Sequence, residues 1–466
     1  MKIHVENLGK IQYADFDMGK LTVLSGMNNT GKTYVTYAIY GFLHYWHNFF
    51  DIPINTDIIN ILNKTGSFCL PLNQYIIDSN EIINQACNEY SRQLASVFAT
   101  QKSKFTNSIF KITVLPDEII IKKQNYKFGL NTSSAGTGLT LYKDANDNDL
   151  NITLFYADDE TVRIPDGTLL QAISIAIKNI VFNTILPHTF LASTERTGAA
   201  IFRSELNVAR NKIFTTLNNK DTVIDPIKLL DTIKSEYAWP VDHNVNFVSN
   251  LEIISKKESN LFKNNSILAN SFASILGGEF KISDKNELFF ITNNKRNENI
   301  QLTMDESSSS VRSLLDIGFY LKHQMQPDDL LMIDEPELNL HPVNQRKIAR
   351  LLVILVNCGI KVFITTHSDY LLRELGNLIL LNDPNPNIQN IVVKEGYDKK
   401  ELLNVSDIKI YIAQEQMVKL PDNKRRKKIN TLSPVMVDNE RGIYFSSFDE
   451  VINDMNRIYD NIMYGE

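Results

Sequence analysis

The chain has 466 residues, 43% of them hydrophobic and 22% charged, enough apolar material for one large core and a smaller one, which excludes an intrinsically disordered chain. A net charge of −6 and a pI near 5.8 argue against a surface built wholly for nucleic acid, while leaving room for a local basic face. Cys69, Cys87 and Cys358 lack metal-ligand spacing and point to a reducing, cytoplasmic setting, and neither a signal peptide nor a membrane span is expected.

Two strand-like runs open the chain, the first through Val5-Glu6-Asn7-Leu8-Gly9-Lys10-Ile11. The apolar run 21–24 then leads into Gly26-Met27-Asn28-Asn29-Thr30-Gly31-Lys32-Thr33, and helical residues 34–43 follow. This is a complete phosphate-binding loop in its required strand-to-helix setting. Gly26 and Gly31 let the backbone turn so that amide N–H groups face phosphates, and the helix start adds its positive dipole end. Lys32 is expected to reach the β and γ phosphates of a nucleoside triphosphate and Thr33 to ligate Mg²⁺ through its hydroxyl. Gly26, Asn28, Asn29, Thr30, Gly31, Lys32, Thr33 and Tyr34 form the expected nucleotide-binding set.

Edge strands are expected at 109–114, 119–123 and 152–155, with a polar turn at 144–149 and an amphipathic helix over 168–186, where Gln171, Lys178 and Asn179 interrupt the apolar run. Thr189 to Gly198 reads as a strand running into a loop with the pair Glu195-Arg196, which a surface turn explains equally well. Residues 204–272 read as largely helical, but without sustained heptads and broken by Pro226 and Pro240, so no long coiled coil is expected. Strands return over 274–302.

Ser307-Ser308-Ser309-Ser310 stands just ahead of an apolar helix at 314–321. Alone, a serine run reads as a flexible loop; at a helix start, hydroxyls and free N–H groups form an anion site. Leu330-Leu331-Met332-Ile333-Asp334-Glu335-Pro336-Glu337 is an apolar strand ending in carboxylates. Such a strand delivers Asp334 rigidly to a Mg²⁺ shell and leaves Glu335 at its end to polarise an attacking water. Leu338-Asn339-Leu340-His341-Pro342 follows, then a helix over 342–357 and a strand over 360–364 ending in Thr365-Thr366-His367-Ser368-Asp369. That is one right-handed βαβ unit, so both strand ends open on one sheet edge, and His367 can contact a γ-phosphate or the lytic water.

The last ninety residues carry a strand-like run at 391–393 and an amphipathic helix over 405–415. The basic run Lys424-Arg425-Arg426-Lys427-Lys428, strand-like 434–437 and 443–445, and a helix over 447–464 follow. The basic run reads as a solvated hairpin tip, because no aromatic residues interleave it, or as a contact to nucleic-acid phosphates.

The order of Gly26 to Thr33, the serine run, Leu330 to Glu337, Leu338 to Pro342 and Thr365 to Asp369 resembles the ABC-type ATPase head of the SMC, RecF and OLD proteins, members of the wider AAA family. The resemblance implies a P-loop α/β fold of ABC-head type, with a mixed, largely parallel central sheet and a helical lobe. It divides the chain into an ATPase lobe (1–203), a helical insertion (204–273), a lobe with the serine signature, carboxylate strand and histidine (274–395) and a C-terminal cap (396–466). It further implies ATP and Mg²⁺ as cofactors, with Thr33 and Asp334 on the metal and Lys32, Glu335 and His367 as catalytic residues. Two heads would sandwich ATP, with Ser308, Ser309 and Ser310 of one head touching the γ-phosphate held by the other. The serine run departs from the family signature in having no glycine. The Glu195-Arg196 segment resembles the piece that couples nucleotide to the rest of such heads, where either residue would sense Mg²⁺ or the partner head. OLD-type chains add a nuclease module, to whose first part Val393-Lys394-Glu395-Gly396 is similar, but no Asp-x-Asp follows, so a separate effector is expected.

Heads short of coiled coil and nuclease resemble the ATPase subunits of antiphage systems of the Septu and PARIS types. Two functions therefore compete: a nucleotide-operated sensor holding a toxic partner, typically a nuclease, and a RecF-like repair ATPase that clamps DNA. A transporter subunit fits less well, being far shorter between phosphate loop and carboxylate strand.

Overall fold

The chain opens as an antiparallel pair, β1 (Lys2–Leu8) and β2 (Ile11–Asp17), before β3 (Leu21–Ser25) carries it into the centre of the molecule. The computed structural model describes residues 1–131, 138–155, 164–203, 237–283, 287–293, 300–420, 425–444 and 446–464. β4 (Ser67–Pro71), β6 (Tyr126–Asn131), β7 (Gly138–Lys143) and β8 (Asp149–Phe155) form an antiparallel sheet in the order β4-β8-β7-β6, and β5 (Ile109–Thr113) joins the opening pair as β2-β1-β5. β10 (Gly278–Ile282), β11 (Leu288–Thr292) and β12 (Gln301–Thr303) make a small antiparallel sheet.

The central sheet has six strands in the order β16-β15-β3-β14-β13-β9. β9 (Thr189–Ala192), β13 (Leu330–Asp334), β14 (Lys361–Thr366), β3 and β15 (Ile408–Val418) run parallel, and β16 (Lys427–Pro434) closes one edge antiparallel. Successive side chains on a strand face opposite ways, so an all-apolar strand needs cover on both faces. Leu21 and Val23, Leu331 and Ile333, and Val362 and Ile364 enter one core, which helices Pro342–Asn357 and Asp369–Leu380 cover. Leu24, Leu330, Met332 and Phe363 enter the other core, beneath the phosphate-loop helix Lys32–Asn48 and the N-terminal sheets. Parallel strands also share one carboxyl edge, and the register Asp334↔Thr365 and Thr366↔Ser25 places the ends of β13, β14 and β3 side by side there.

Several local readings need correction. Residues 405–415 form no helix: after the single turn Val405–Asp407 the chain enters β15, whose pairing with β3 from Ile408 to Ile412 supplies the hydrogen bonds a helix would have made internally. Residues 391–393 lie in helix Pro386–Lys394, started by Asn385, whose side chain accepts from the Asn387 N–H at 3.0 Å, with proline at the first helical position. The nuclease-like Glu395 thus follows a helix, where a strand is required. Residues 119–123 form no strand; they leave the turn Pro116–Glu118 as irregular chain with Ile119 buried. The helix expected over 314–321 is broken into Ser309–Ser313, Leu315–Phe319 and the wider turn Tyr320–Gln324. Helix Asp166–Ile177 likewise passes into a wide turn, Lys178–Phe182, where the Lys178 side chain is buried and its ammonium donates to the Phe50 carbonyl.

Of the helical region, residues 204–236 lie outside the described part; the rest contains Trp239–Ser249 and Ser266–Leu276. Among the described residues no long coiled-coil arm is present, and no helix is long and apolar enough to cross a membrane. The basic run spans the β15–β16 connection and the start of β16, with Lys424 outside the described residues, Arg425 and Arg426 in the connection, Lys427 and Lys428 paired with β15, and these last four exposed.

Candidate nucleotide site

The loop between β3 and its helix is held in a shape that only part of the amino-acid alphabet tolerates. Gly26 has φ +139°, and a Cβ there would lie 2.7 Å from the Ala413 carbonyl of β15, so glycine is needed for both conformation and space. Gly31, at φ +102°, caps the helix, and Asn29 also lies in the left-handed region at +63°. Lys32 is buried and its Nζ donates to the Gly26 and Met27 carbonyls at 2.8 and 2.9 Å, so the ammonium sits in the bowl of the loop. Burial pulls its pKa down, opposed by the fields of Glu335, Asp334 and Glu337. Met27, Asn28 and Asn29 are exposed, and the Thr30 hydroxyl donates to the Met27 carbonyl at 2.8 Å. Tyr34 is the member of the expected set whose side chain turns away: its ring stacks on Phe98 at 5.0 Å and fills the space over Gly9.

Thr33 and Asp334 meet although 301 positions apart, the Thr33 hydroxyl donating to Asp334 Oδ2 at 3.2 Å. Thr365 donates to the other Asp334 oxygen. Asp334 is 1% exposed, and burial pushes its pKa up to about 6, against the pull of these two hydroxyls. A buried carboxylate held above its usual range gains most from a cation, and a hydroxyl beside one carboxylate is a donor set that Mg²⁺ accepts when phosphates complete its shell. The residues therefore fit the metal.

Glu335 leaves the strand in the left-handed conformation, φ +54°, an unfavourable state for a residue with a Cβ. Its N–H is fixed by the Thr365 carbonyl and hydroxyl at 3.2 and 3.1 Å, which holds the carboxylate out of the sheet, partly exposed. His367 lies alongside, its Nδ1 3.4 Å from Glu335 Oε1 and 3.5 Å from Glu337 Oε1. Glu337, which sequence reasoning gave no separate role, is buried and accepts from the Thr366 hydroxyl at 2.7 Å and the His367 N–H at 2.9 Å, while its Oε2 has no partner among the described residues. It ties the end of β14 to the turn after β13 and thereby sets where His367 stands. The signal was the second glutamate of Asp-Glu-Pro-Glu, whose use depends on a pairing invisible in the sequence.

Glu195 faces the same edge and accepts from the Tyr37 hydroxyl at 2.9 Å. Arg196 is no surface sensor: it is fully buried, and its guanidinium is spent on main-chain carbonyls. The serine segment lies on helix Ser309–Ser313. Ser308 caps it, its Oγ accepting from the Val311 N–H at 3.3 Å and lying 2.8 Å from Ser310 Oγ. Ser307 is buried and donates to the Thr303 carbonyl at 2.7 Å, while Ser308 and Ser309 are exposed. No hydrogen bond joins Ser308, Ser309 or Ser310 to the phosphate loop of the same chain among the described residues.

Residues 1–372 match the profile of a known family, the AAA ATPase domain. No curated protein matches the chain. Among solved structures the chain is similar to an SMC head bound to the C-winged helix domain of ScpA, with TM-score 0.32 and 10% identity over 92% of this chain and 97% of that one. An Smc head domain with an extended coiled coil, bound to the C-terminal domain of ScpA derived from Pyrococcus furiosus, gives 0.31 and 10% over 98% of each chain. An SMC head domain from Thermotoga maritima gives 0.27 and 9% over 94% and 98%.

Proposed function

The chain belongs to the AAA ATPase domain family, and from that premise we propose that it is a Mg²⁺-dependent ATPase of ABC-head type, working as a pair of heads that sandwich ATP and control a separate effector. One observation carries the reading: Thr33 and Asp334 in contact, with Glu335 projecting from the next position. Thr33 and Asp334 would hold Mg²⁺, which when bound offsets the negative charge on the phosphates. Lys32 and the N–H groups of the loop bind and orient the β and γ phosphates. Glu335 orients the attacking water and takes up its proton as the water oxygen bonds to the γ-phosphorus and the bond to ADP breaks, giving ADP and phosphate. His367, placed by Glu337, hydrogen-bonds the γ-phosphate or that water. The exposed Ser308 and Ser309 and the half-buried Ser310 supply hydroxyls to a γ-phosphate held by the other head.

Sensor work in an antiphage system, with a nuclease or toxin as the controlled partner, is supported by the acidic balance and by the lack of a long coiled-coil arm among the described residues. The test is size in solution. Glutamine at 335 keeps the shape of the side chain but cannot accept the proton, so Glu335→Gln should bind ATP, hydrolyse it about 10²- to 10⁴-fold more slowly, and run as a larger species in ATP than in ADP. Normal hydrolysis by this variant, or a size indifferent to nucleotide, counts against the two-head ATPase. The exposed cations at the β15–β16 tip favour a second reading, a RecF-like clamp on DNA. Retention on duplex DNA near physiological salt with a steep salt slope, lost on neutralising Arg425, Arg426, Lys427 and Lys428, selects it.

A further inference from the structure

Arg196 makes four hydrogen bonds to carbonyls of three separate segments. Its Nε donates to Ser313 at 2.8 Å; one terminal nitrogen donates to Ser193 at 2.7 Å and Asp334 at 2.8 Å; the other donates to Glu335 at 2.8 Å. The side chain is fully buried, and every one of these acceptors is main chain. A guanidinium is a rigid planar fork, so it couples the positions of the groups it bridges where a flexible ammonium would not. Ser313 ends the short helix that Ser308 caps, and its hydroxyl donates back to the Ser310 carbonyl at 2.9 Å, so residues 308–313 move as one piece. At the other end of the fork is the carbonyl of Glu335, whose left-handed backbone aims the general base. Asp316, on the next turn of the serine segment, is buried with neither carboxylate oxygen hydrogen-bonded, and the Arg196 charge is what chiefly opposes its burial. A rigid bridge between two segments is the kind of element through which a small shift at one end is carried to the other.

We infer that Arg196 is a positioning residue that links the serine segment to the catalytic glutamate, so that a γ-phosphate engaged by Ser308 to Ser310 sets the aim of Glu335 in the same head. The inference rests on the two-head reading above. Through it, each head hydrolyses its own ATP in response to holding its neighbour's.

The experiment compares wild type, Arg196→Lys and Ser313→Ala in three measurements: ATP affinity of dilute heads, ATP-dependent association, and hydrolysis per associated head. Lysine keeps the charge but cannot span three segments, so Arg196→Lys should bind ATP within about threefold of wild type, associate in ATP, and hydrolyse about 100-fold more slowly with KM little changed. Ser313→Ala, which removes only a hydroxyl, loosens the link between Ser310 and Ser313 and should slow hydrolysis about 3- to 10-fold with association intact. Hydrolysis unchanged in folded Arg196→Lys overturns the link, as does a loss of association matching the loss of hydrolysis. If Arg196→Lys does not fold, Ser313→Ala decides alone, and unchanged hydrolysis there overturns the link. If wild type itself neither associates in ATP nor hydrolyses faster at higher protein concentration, both the link and the two-head reading fall. If it does both while the variants hydrolyse normally, only the link falls.

Discussion

The carboxylate edge and the serine segment are braced in opposite ways. At the edge, Asp334 is held by Thr33 and Thr365, Glu337 by Thr366 and the His367 N–H, and the backbone of Asp334 and Glu335 by Arg196, partners drawn from distant parts of the chain. In the serine segment the side-chain bonds are local, Ser307 to Thr303, Ser308 to Val311 and Ser310, and Ser313 to Ser310, while Arg196 reaches in from a distance at the Ser313 carbonyl. Arg312, too, turns back onto the carbonyls of Met304 and Ser307. The first region is pre-organised for chemistry by the fold; the second keeps its own shape and leaves Ser308 and Ser309 facing outward. A site with one part complete and the other outward-facing is what catalysis divided between two copies of a chain requires.

The largest effect that would break this contrast comes from replacing Ser308, Ser309 and Ser310 together by alanine. Hydrolysis and ATP-dependent association should fall about 10²- to 10³-fold, the scale of losing pre-organised donors, while a dilute head binds ATP as before. Equal loss of binding, seen by calorimetry, would place the serines in the same head's pocket. Lys32→Ala attacks the other region. Two charge-assisted hydrogen bonds to phosphate are lost, so ATP affinity should drop about 100-fold with the fold intact, and unchanged affinity in a folded variant removes the phosphate-loop assignment.

The smallest effect sharpens the comparison through pH. Burial lifts the Asp316 pKa from 3.8 to about 6, opposed by Arg196. A folded-state pKa above the unfolded one means that the native protein binds the extra proton between these values, so this group's contribution to stability is complete below pH 3.8 and is lost as pH rises through 6. The lift corresponds to about 3 kcal/mol. Asp316→Asn should therefore melt roughly 3 °C higher than wild type at pH 7.5, and the gain should vanish at pH 4. A gain of the same size at both pH values would mean that the carboxyl pKa does not differ between the folded and unfolded states.

Much of the site was legible because its parts are local. The phosphate loop is eight consecutive residues, and the spacing of Asp334, helix 342–357 and His367 forces one βαβ crossover, which the structure contains. What was misread depends on distant neighbours. Ile408, Tyr411, Ile412 and Glu415 have helical spacing, and only the open side of β3, nearly four hundred positions away, makes that stretch a strand. The pair Glu195-Arg196 left a surface turn and a coupling segment equally open, because the burial of Arg196 follows from carbonyls at 313, 334 and 335 that no local window contains. The run 391–393 was a different miss, since Asn385-Pro386 just ahead is a helix start written in the sequence itself.

The position of β3 also governs when the protein can become an ATPase. β3 is made from residues 21–25, yet its two sheet neighbours are β14, at 361–366, and the first half of β15, at 408–412. During synthesis at about 5–20 residues per second, the phosphate loop emerges roughly 20–80 s before the strand that flanks Gly26 exists. For most of that interval Asp334, Thr365 and the β14 neighbour of β3 are not yet made, and to its end the bowl around Lys32 lacks the β15 wall behind it. Nucleotide binding is thus tied to synthesis of the chain as far as β15, almost four hundred residues beyond the loop itself.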